Sequence, residues 1–189
     1  MRRLLVLTTI VLLGMTGIAV GGCGGQTREA RQYMTTADDM YEAVDQKLIE
    51  ISKQSDQLIS AILTGNTSVL TQDPAELTRI NDTLETAIPE LDDAKAEYQK
   101  ILPLKGVDDY VEYARAMIAA TGGTIAAVKA GQELLAQMGP IVASGDATQL
   151  QSFISQNMAT LTEVQQLNTE ATKLVDTAQA IKTDKDLGE

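Results

Sequence analysis

The stretch TREARQYMTTADDMYEAVDQKLIEISKQSDQLISAILT, residues 27–64, decides the fold of this chain. Apolar side chains recur in it at alternating steps of four and three residues, with Ser55 as the one polar interruption. That spacing puts an apolar stripe along one side of an α-helix and is typical of a narrow, heptad-like packing seam. The stretch therefore predicts one long helix that ends near Gly65-Asn66. Its seam consists of Ala30, Met34, Ala37, Tyr41, Val44, Leu48, Ile51, Leu58 and Ile62.

The next segment repeats this pattern after a recognisable start. Asp73-Pro74-Ala75-Glu76 combines an N-cap residue, a proline suited to the first helical position and a capping box. Pro103 closes the segment, and Pro89 inside it is expected to kink or interrupt the helix. The seam here is Leu77, Ile80, Leu84, Ala87, Leu91, Ala94, Tyr98 and Ile101.

Two more helices are predicted towards the C-terminus. The third runs from about Val107 to Met138 and stops at Gly139-Pro140, whereas the fourth follows a turn at residues 144–146 and continues to about Lys182. Residues 183–189 are expected to fray. The third stripe is Val111, Ala114, Ile118, Ile125, Val128 and Leu135, and the fourth seam is Leu150, Ile154, Asn157, Leu161, Val164, Ala171, Val175 and Ala178.

The composition favours an all-α fold. The chain has five tyrosines, one phenylalanine and no tryptophan, so its core must be built mainly from aliphatic side chains. No useful length of sequence alternates β-branched or aromatic residues with polar ones. Four long helices with short connections predict an up-down-up-down four-helix bundle over residues 28–182. An extended antiparallel arrangement of helical hairpins, or coiled coil, is the alternative.

The N-terminus has the layout of an export signal. Arg2 and Arg3 precede a largely apolar stretch, and small residues follow before Cys23, the only cysteine of the chain. Val20-Gly21-Gly22-Cys23 resembles the lipobox of bacterial lipoproteins. The resemblance implies that Cys23 receives a diacylglyceryl group and that the signal peptidase cuts between Gly22 and Cys23. Residues 1–22 would then be the signal peptide, and residues 23–27 a flexible lipidated tether.

This resemblance and the charge set the expected location and partners. The chain has 26 acidic and 15 basic residues, and loss of Arg2 and Arg3 would leave a net charge of about −13. So negative a chain is not expected to bind nucleic acid. The lipid on Cys23 would attach the protein to the outer face of the cytoplasmic membrane or to an outer membrane. An envelope protein is the expected macromolecular partner.

The residue types argue against an enzyme. The chain has no histidine, which removes imidazole metal ligands and histidine-dependent catalysis, and no catalytic, cofactor or metal site is predicted. Acidic groups at helical spacing are interpreted as solvated faces, with a bridging hard cation as the alternative. These groups are Asp38, Asp39, Glu42 and Asp45; Asp92, Asp93 and Glu97; and Asp108, Asp109 and Glu112.

One polar level of the predicted bundle suggests a small pocket. Counting residues from the turns places Pro89 opposite Gly122, with Ile51 and Thr162 near the same level. A proline kink facing Gly122-Gly123 would widen the bundle there, beside Ser55, Thr121 and Asn157. Alternatively, the two glycines let neighbouring helices approach closely and the polar residues fix their register.

Two functions follow from these expectations. The first is a non-enzymatic envelope lipoprotein that acts through protein contact or as a structural element. The second is a solute-binding or sensory bundle that uses the pocket. In architecture the second is loosely similar to the four-helix ligand-binding domains of chemoreceptors, although the polar C-terminal stretch from Leu174 offers no second membrane span.

Overall fold

The structure, a computed structural model, describes residues 23–64 and 75–188. This part of the chain is all-helical and contains no strand. Its elements are α1 (Cys23–Leu63), α2 (Ala75–Gln99), α3 (Asp108–Ser144), α4 (Ala147–Gln156) and α5 (Met158–Asp184). None of these helices is long and apolar enough to cross a membrane. The proposed signal peptide and the helix ends predicted at Gly65-Asn66 and Asp73-Pro74 lie outside the described residues.

The long helices pack in the order α1, α2, α3, α5. Lys47 of α1 pairs with Glu90 of α2, and Asp38 pairs with Tyr98, so residue numbers rise along α1 as they fall along α2. Pairings between α2 and α3, and between α3 and α5, run in the same antiparallel sense. The α1 and α3 helices begin, and the α2 and α5 helices finish, at the same end of the structure. We call this end the Cys23 end.

The seams predicted for α1 and α2 are confirmed. Their members are buried almost throughout, with Leu48 and Leu77 half-buried. The predicted tether, residues 23–27, lies in the first turns of α1 instead of in a separate flexible segment. Here the Gln26 side chain accepts a hydrogen bond from the Lys105 backbone amide at 2.6 Å, which ties this turn to the α2–α3 connection. Pro89 lies on an exposed part of α2 and does not interrupt the helix.

The end predicted for the third helix is wrong. Gly139 and Pro140 lie inside α3, which continues to Ser144. The helix finishes at Gly145, whose φ of 69° is left-handed and whose backbone amide donates to the Val142 carbonyl. A left-handed glycine is a common helix end, and here it marks the stop instead of the proline.

The predicted fourth helix is two helices. Asn157 separates α4 from α5, and its side-chain amide donates to the Phe153 carbonyl at 2.9 Å. The Asn157 backbone amide still donates to the Phe153 carbonyl at 3.0 Å, so the interruption lies in its backbone angles, φ −100° and ψ 13°, which depart from helical values. The ten residues of α4 pack against α1 and α3 before the chain turns into α5.

The prediction that residues 183–189 fray is also wrong for its described part. The α5 helix reaches Asp184, and Asp186 then adopts a left-handed φ of 50° that reverses the chain. Leu187 thereby returns to the core, where only 3% of its surface is exposed. Its carbonyl accepts a hydrogen bond from the Tyr110 hydroxyl at 3.3 Å. Burial of an apolar side chain explains why this segment stays attached.

The buried side chains form two clusters. The larger one extends from the Cys23 end over much of the length of the structure and involves α1, α2, α3 and α5. The smaller one lies at the opposite end and consists of Leu58, Ile62, Met138, Leu150 and Ile154. The α4 helix contributes two of those five residues and so builds much of the second cluster.

Candidate functional site

Two sites stand out, and the first is a polar network within the larger core. The Asp38 carboxylate of α1 accepts hydrogen bonds at one oxygen from the Tyr98 hydroxyl (2.7 Å) and the Tyr113 hydroxyl (2.6 Å). Its other oxygen pairs with the Lys182 ammonium at 2.6 Å. We call these four residues the Asp38 network. One carboxylate thus joins side chains from α1, α2, α3 and α5 at a single level.

Small neighbours let the helices close around this network. Each member of the network has its own fully buried alanine close to it in the sequence. For Asp38 and Tyr113 this alanine is the adjacent residue, and for Tyr98 and Lys182 it lies one turn earlier in the helix. These alanines are Ala37, Ala114, Ala94 and Ala178, in the same order. With no bulk beyond Cβ, they allow backbones to approach within the reach of the polar groups.

The electrostatics of the network keep both tyrosines protonated. Tyr98 and Tyr113 have no exposed surface, and their rings meet edge to face with centroids 6.1 Å apart. Burial, and next the negative charge of Asp38, raise the pKa of each phenol far above its ordinary value of 10. Ionisation would add an anion beside the carboxylate and remove a hydrogen-bond donor. Because both Asp38 oxygens are already occupied, the arrangement fits a structural role.

The second site is an apolar cavity of about 200 Å³ between the two core clusters. The cavity is partly open to solvent. Its walls come from every helix of the described chain. They are Leu48, Ile51, Ser52, Ser55, Asp56, Leu58, Ile59, Ile80, Leu84, Ala127, Val128, Gly131, Leu134, Leu135, Met138, Phe153, Ile154, Asn157, Leu161, Val164, Gln165 and Asn168.

The helix arrangement explains why the space is there. The described parts of α1 and α5 do not pack closely side by side along this stretch, although Lys182 of α5 reaches Asp38 near the Cys23 end. The α4 helix packs against both α1 and α3 and contributes Phe153 and Ile154 to the wall. Glycine at position 131 leaves further room, since a Cβ added there would meet only the Leu84 side chain, at 3.9 Å.

The cavity has an apolar floor and a polar rim. Its deeper lining includes Leu58, Val128 and Ile154, all of them buried. The exposed lining residues are Ser52 and Asp56 on α1, and Gln165 and Asn168 on α5. The mouth therefore lies between α1 and α5. Asp56 is the one charged residue among the lining side chains.

The predicted pocket is only partly reproduced by this cavity. Ile51, Ser55 and Asn157 line it, as the sequence suggested. Thr121, by contrast, is fully buried elsewhere and donates to the Met117 carbonyl at 2.7 Å. Pro89 is exposed on α2, and Thr162 is exposed on α5.

The double glycine serves the alternative purpose, a close helix contact. A Cβ added at Gly123 would lie 3.3 Å from the Ala171 Cβ of α5, tighter than ordinary packing. Ala171, not Thr162, is therefore the residue of α5 opposite this level of α3. Gly122 faces the end of the Lys95 side chain and does not line the cavity.

The acidic groups differ in their surroundings. Asp38 belongs to the buried network, so its assignment to a solvated face is wrong, whereas Asp39 and Glu42 beside it are exposed. Burial, followed by the nearby Glu42 charge, raises the pKa of Asp45. Within residues 23–64 and 75–188, no three cysteine or acidic side chains are grouped so as to hold a metal ion.

Several residues of these sites gave little signal in the sequence. Tyr113 and Met138 fall outside the predicted α3 stripe because α3 buries more than one face. Gly131 and Phe153 belong to no recognisable motif, and Asp56 looks like any surface carboxylate. Cys23, the candidate lipidation residue, is the first residue of α1. No family model, curated protein or solved structure matches this chain.

Proposed function

We propose that this protein is a bacterial lipoprotein of the cell envelope, anchored through a diacylglyceryl group on Cys23. It acts without catalysis, through contact with another envelope protein or as a structural element. The charged, apolar and small segments before Cys23 support the anchor, as does the lipobox-like Val20-Gly21-Gly22-Cys23.

We also propose that α1, α2, α3 and α5 form a single up-down-up-down bundle, with α4 as an additional short helix. The Asp38 network supports this arrangement over two separate hairpins, because each of the four long helices contributes one of its members. Two separate hairpins would not bring side chains from all four long helices to one carboxylate.

The unbroken course of α1 from Cys23 to Leu63 carries the functional proposal. Its 41 residues span about 60 Å at 1.5 Å per residue. A lipid on Cys23 would thus be covalently continuous with a rigid element that reaches the opposite end of the protein. Such a bundle presents its far end, where α4 lies, well beyond the membrane surface.

Membrane fractionation tests the anchor. The unaltered protein should sediment with membranes and incorporate labelled fatty acid, whereas Cys23→Ala should do neither. Gly25→Ala is the matched control, because an added Cβ there meets nothing within 4 Å and the thiol is retained. If Cys23→Ala stays membrane-bound, the lipoprotein proposal is wrong.

Cross-linking of the anchored protein in its own envelope tests the mode of action. Recovery of one protein in stoichiometric amount would support action through contact. A co-purifying small molecule with no protein partner would instead favour the second candidate, solute binding. The cavity is the observation that favours this second candidate.

A further inference from the structure

We propose that the cavity is a binding site for a compact amphiphile, with an uncharged polar head and a hydrocarbon body of about eight carbon atoms. The inference deepens the solute-binding candidate and rests on it. It does not depend on the lipid at Cys23.

The volume sets the size of the ligand. An engineered apolar cavity of about 150 Å³ holds benzene, with its six carbon atoms. The cavity here has about 200 Å³, which on the same scale accommodates about eight. An α-helix is about 10 Å across with its side chains, so the site is too small for a helix from a partner.

The lining sets the chemistry of the ligand body. Leu58, Val128 and Ile154 are buried and purely aliphatic, and Phe153 adds one aromatic ring. These four side chains bind hydrocarbon through apolar burial and themselves offer no partner to a buried charge or a buried hydrogen-bonding group. The polar groups of Ser55 and Asn157 lie on half-buried lining residues. The deep end of the ligand is therefore apolar.

The rim sets the chemistry of the head. Ser52, Gln165 and Asn168 offer hydroxyl and amide groups at the mouth, and these both donate and accept hydrogen bonds. Asp56 stands among them as the one charged lining residue. Its negative charge opposes a carboxylate, sulfate or phosphate head at the same position. A neutral polar head is compatible with all four.

Methionine methyl groups provide a local readout in the complete protein. Met138 lines the cavity, whereas Met34 and Met117 are buried in the larger core away from it. The protein, labelled with ¹³C at its methionine methyls, is purified from whichever fraction holds it, membrane or soluble. It is then titrated with 1-octanol and followed by NMR. We expect the Met138 signal to shift and saturate while those of Met34 and Met117 stay in place.

Two variants locate the binding and one tests the head group. Gly131→Leu fills the cavity and should weaken octanol binding at least tenfold. Ala126→Leu, on the exposed side of the same helix, should leave it unchanged. Octanoate at pH 7 should bind at least tenfold more weakly than octanol. Asp56→Asn should reduce the difference in affinity between octanol and octanoate without changing the affinity for octanol.

The proposal is overturned if octanol leaves the Met138 signal in place, or if all three methionine signals move together. Equal octanol binding by Gly131→Leu and the unaltered protein would also overturn it. A second copy of the chain that closes the mouth would appear as self-association, with Met138 insensitive to octanol, and would also overturn the proposal. Because fractionation tests the anchor separately, failure of one proposal leaves the other standing.

Discussion

The Asp38 network and the cavity show two ways in which the same helices can meet. At the network, four helices close on one carboxylate, and fully buried alanines bring their backbones near. At the cavity, α1 and α5 stand apart and large aliphatic side chains surround a space of about 200 Å³. Similar apolar seams run through both regions. The difference shows that a few polar and small residues, and the placement of one short helix, decide whether a level of the structure is filled.

Removal of the Asp38 carboxylate should cause the largest change in stability. Asp38→Ala leaves the buried Tyr98 and Tyr113 hydroxyls and the Lys182 ammonium without their acceptor. We expect the free energy of unfolding to fall by about 3–4 kcal/mol, measured by urea denaturation followed by circular dichroism. The neighbouring exposed residue provides the control, since Asp39→Ala should change the free energy of unfolding by less than about 0.5 kcal/mol. Equal losses from the two variants would contradict a structural role for the network.

Alkaline pH should weaken the network without any mutation. Tyr98 and Tyr113 have raised pKa values in the folded protein, so the folded state holds protons that the unfolded chain releases above pH 10. The stability that these protons contribute is present below pH 10 and is lost as the pH rises from there towards the folded-state pKa values. At pH 11 the loss should be roughly 3 kcal/mol for the two groups together.

Urea unfolding midpoints at pH 9, 10 and 11 measure this loss. The double variant Tyr98→Phe, Tyr113→Phe is less stable at every pH but should show a flatter decline between pH 10 and pH 11. An unchanged slope in the double variant would mean that other groups cause the alkaline loss.

The cavity region should respond to substitution in the opposite direction. Ser55 is half-buried at a seam position and lines the cavity, so Ser55→Leu places hydrocarbon in empty space. We expect a gain of about 1 kcal/mol in the free energy of unfolding, the smallest of the three effects. Ser60→Leu, on the exposed side of the same helix, should give no comparable gain. Destabilisation by Ser55→Leu would indicate that the space is already filled by packing.

The sequence predicted the first half of this arrangement well. The seams of α1 and α2 follow a strict alternation of three and four, and burial follows the same residues. Counting outwards from the turn near Lys105 also gives the register between α2 and α3 close to that turn, where Tyr98 meets Tyr113. Further along, Gly122 faces Lys95 and not Pro89. Short-range periodicity and one tight connection were sufficient there.

The second half could not be predicted because the chain does not follow its own periodic pattern. The seam from Leu150 to Ala178 continues across Asn157, yet the helix does not. The later end of α3 and the break at Asn157 together displaced the expected register of α5 by about two and a half turns, which is why Ala171 and not Thr162 lies opposite Gly123. The burial of Asp38 in the network could not be predicted for another reason. Its partners lie on three other helices, and the spacing of residues within α1 gives no information about them.

The Asp38 network also constrains the order in which the chain can fold. Asp38 precedes its partners in the chain by 60, 75 and 144 residues. Contacts this distant in sequence form late, after the loops between them have closed. The first half of the chain is sufficient for an α1–α2 hairpin, but the pairing of the second Asp38 oxygen with Lys182 requires α5 to be in place. The Cys23 end contains the first residues of the described chain, yet it is complete only when residues close to the C-terminus have packed against it.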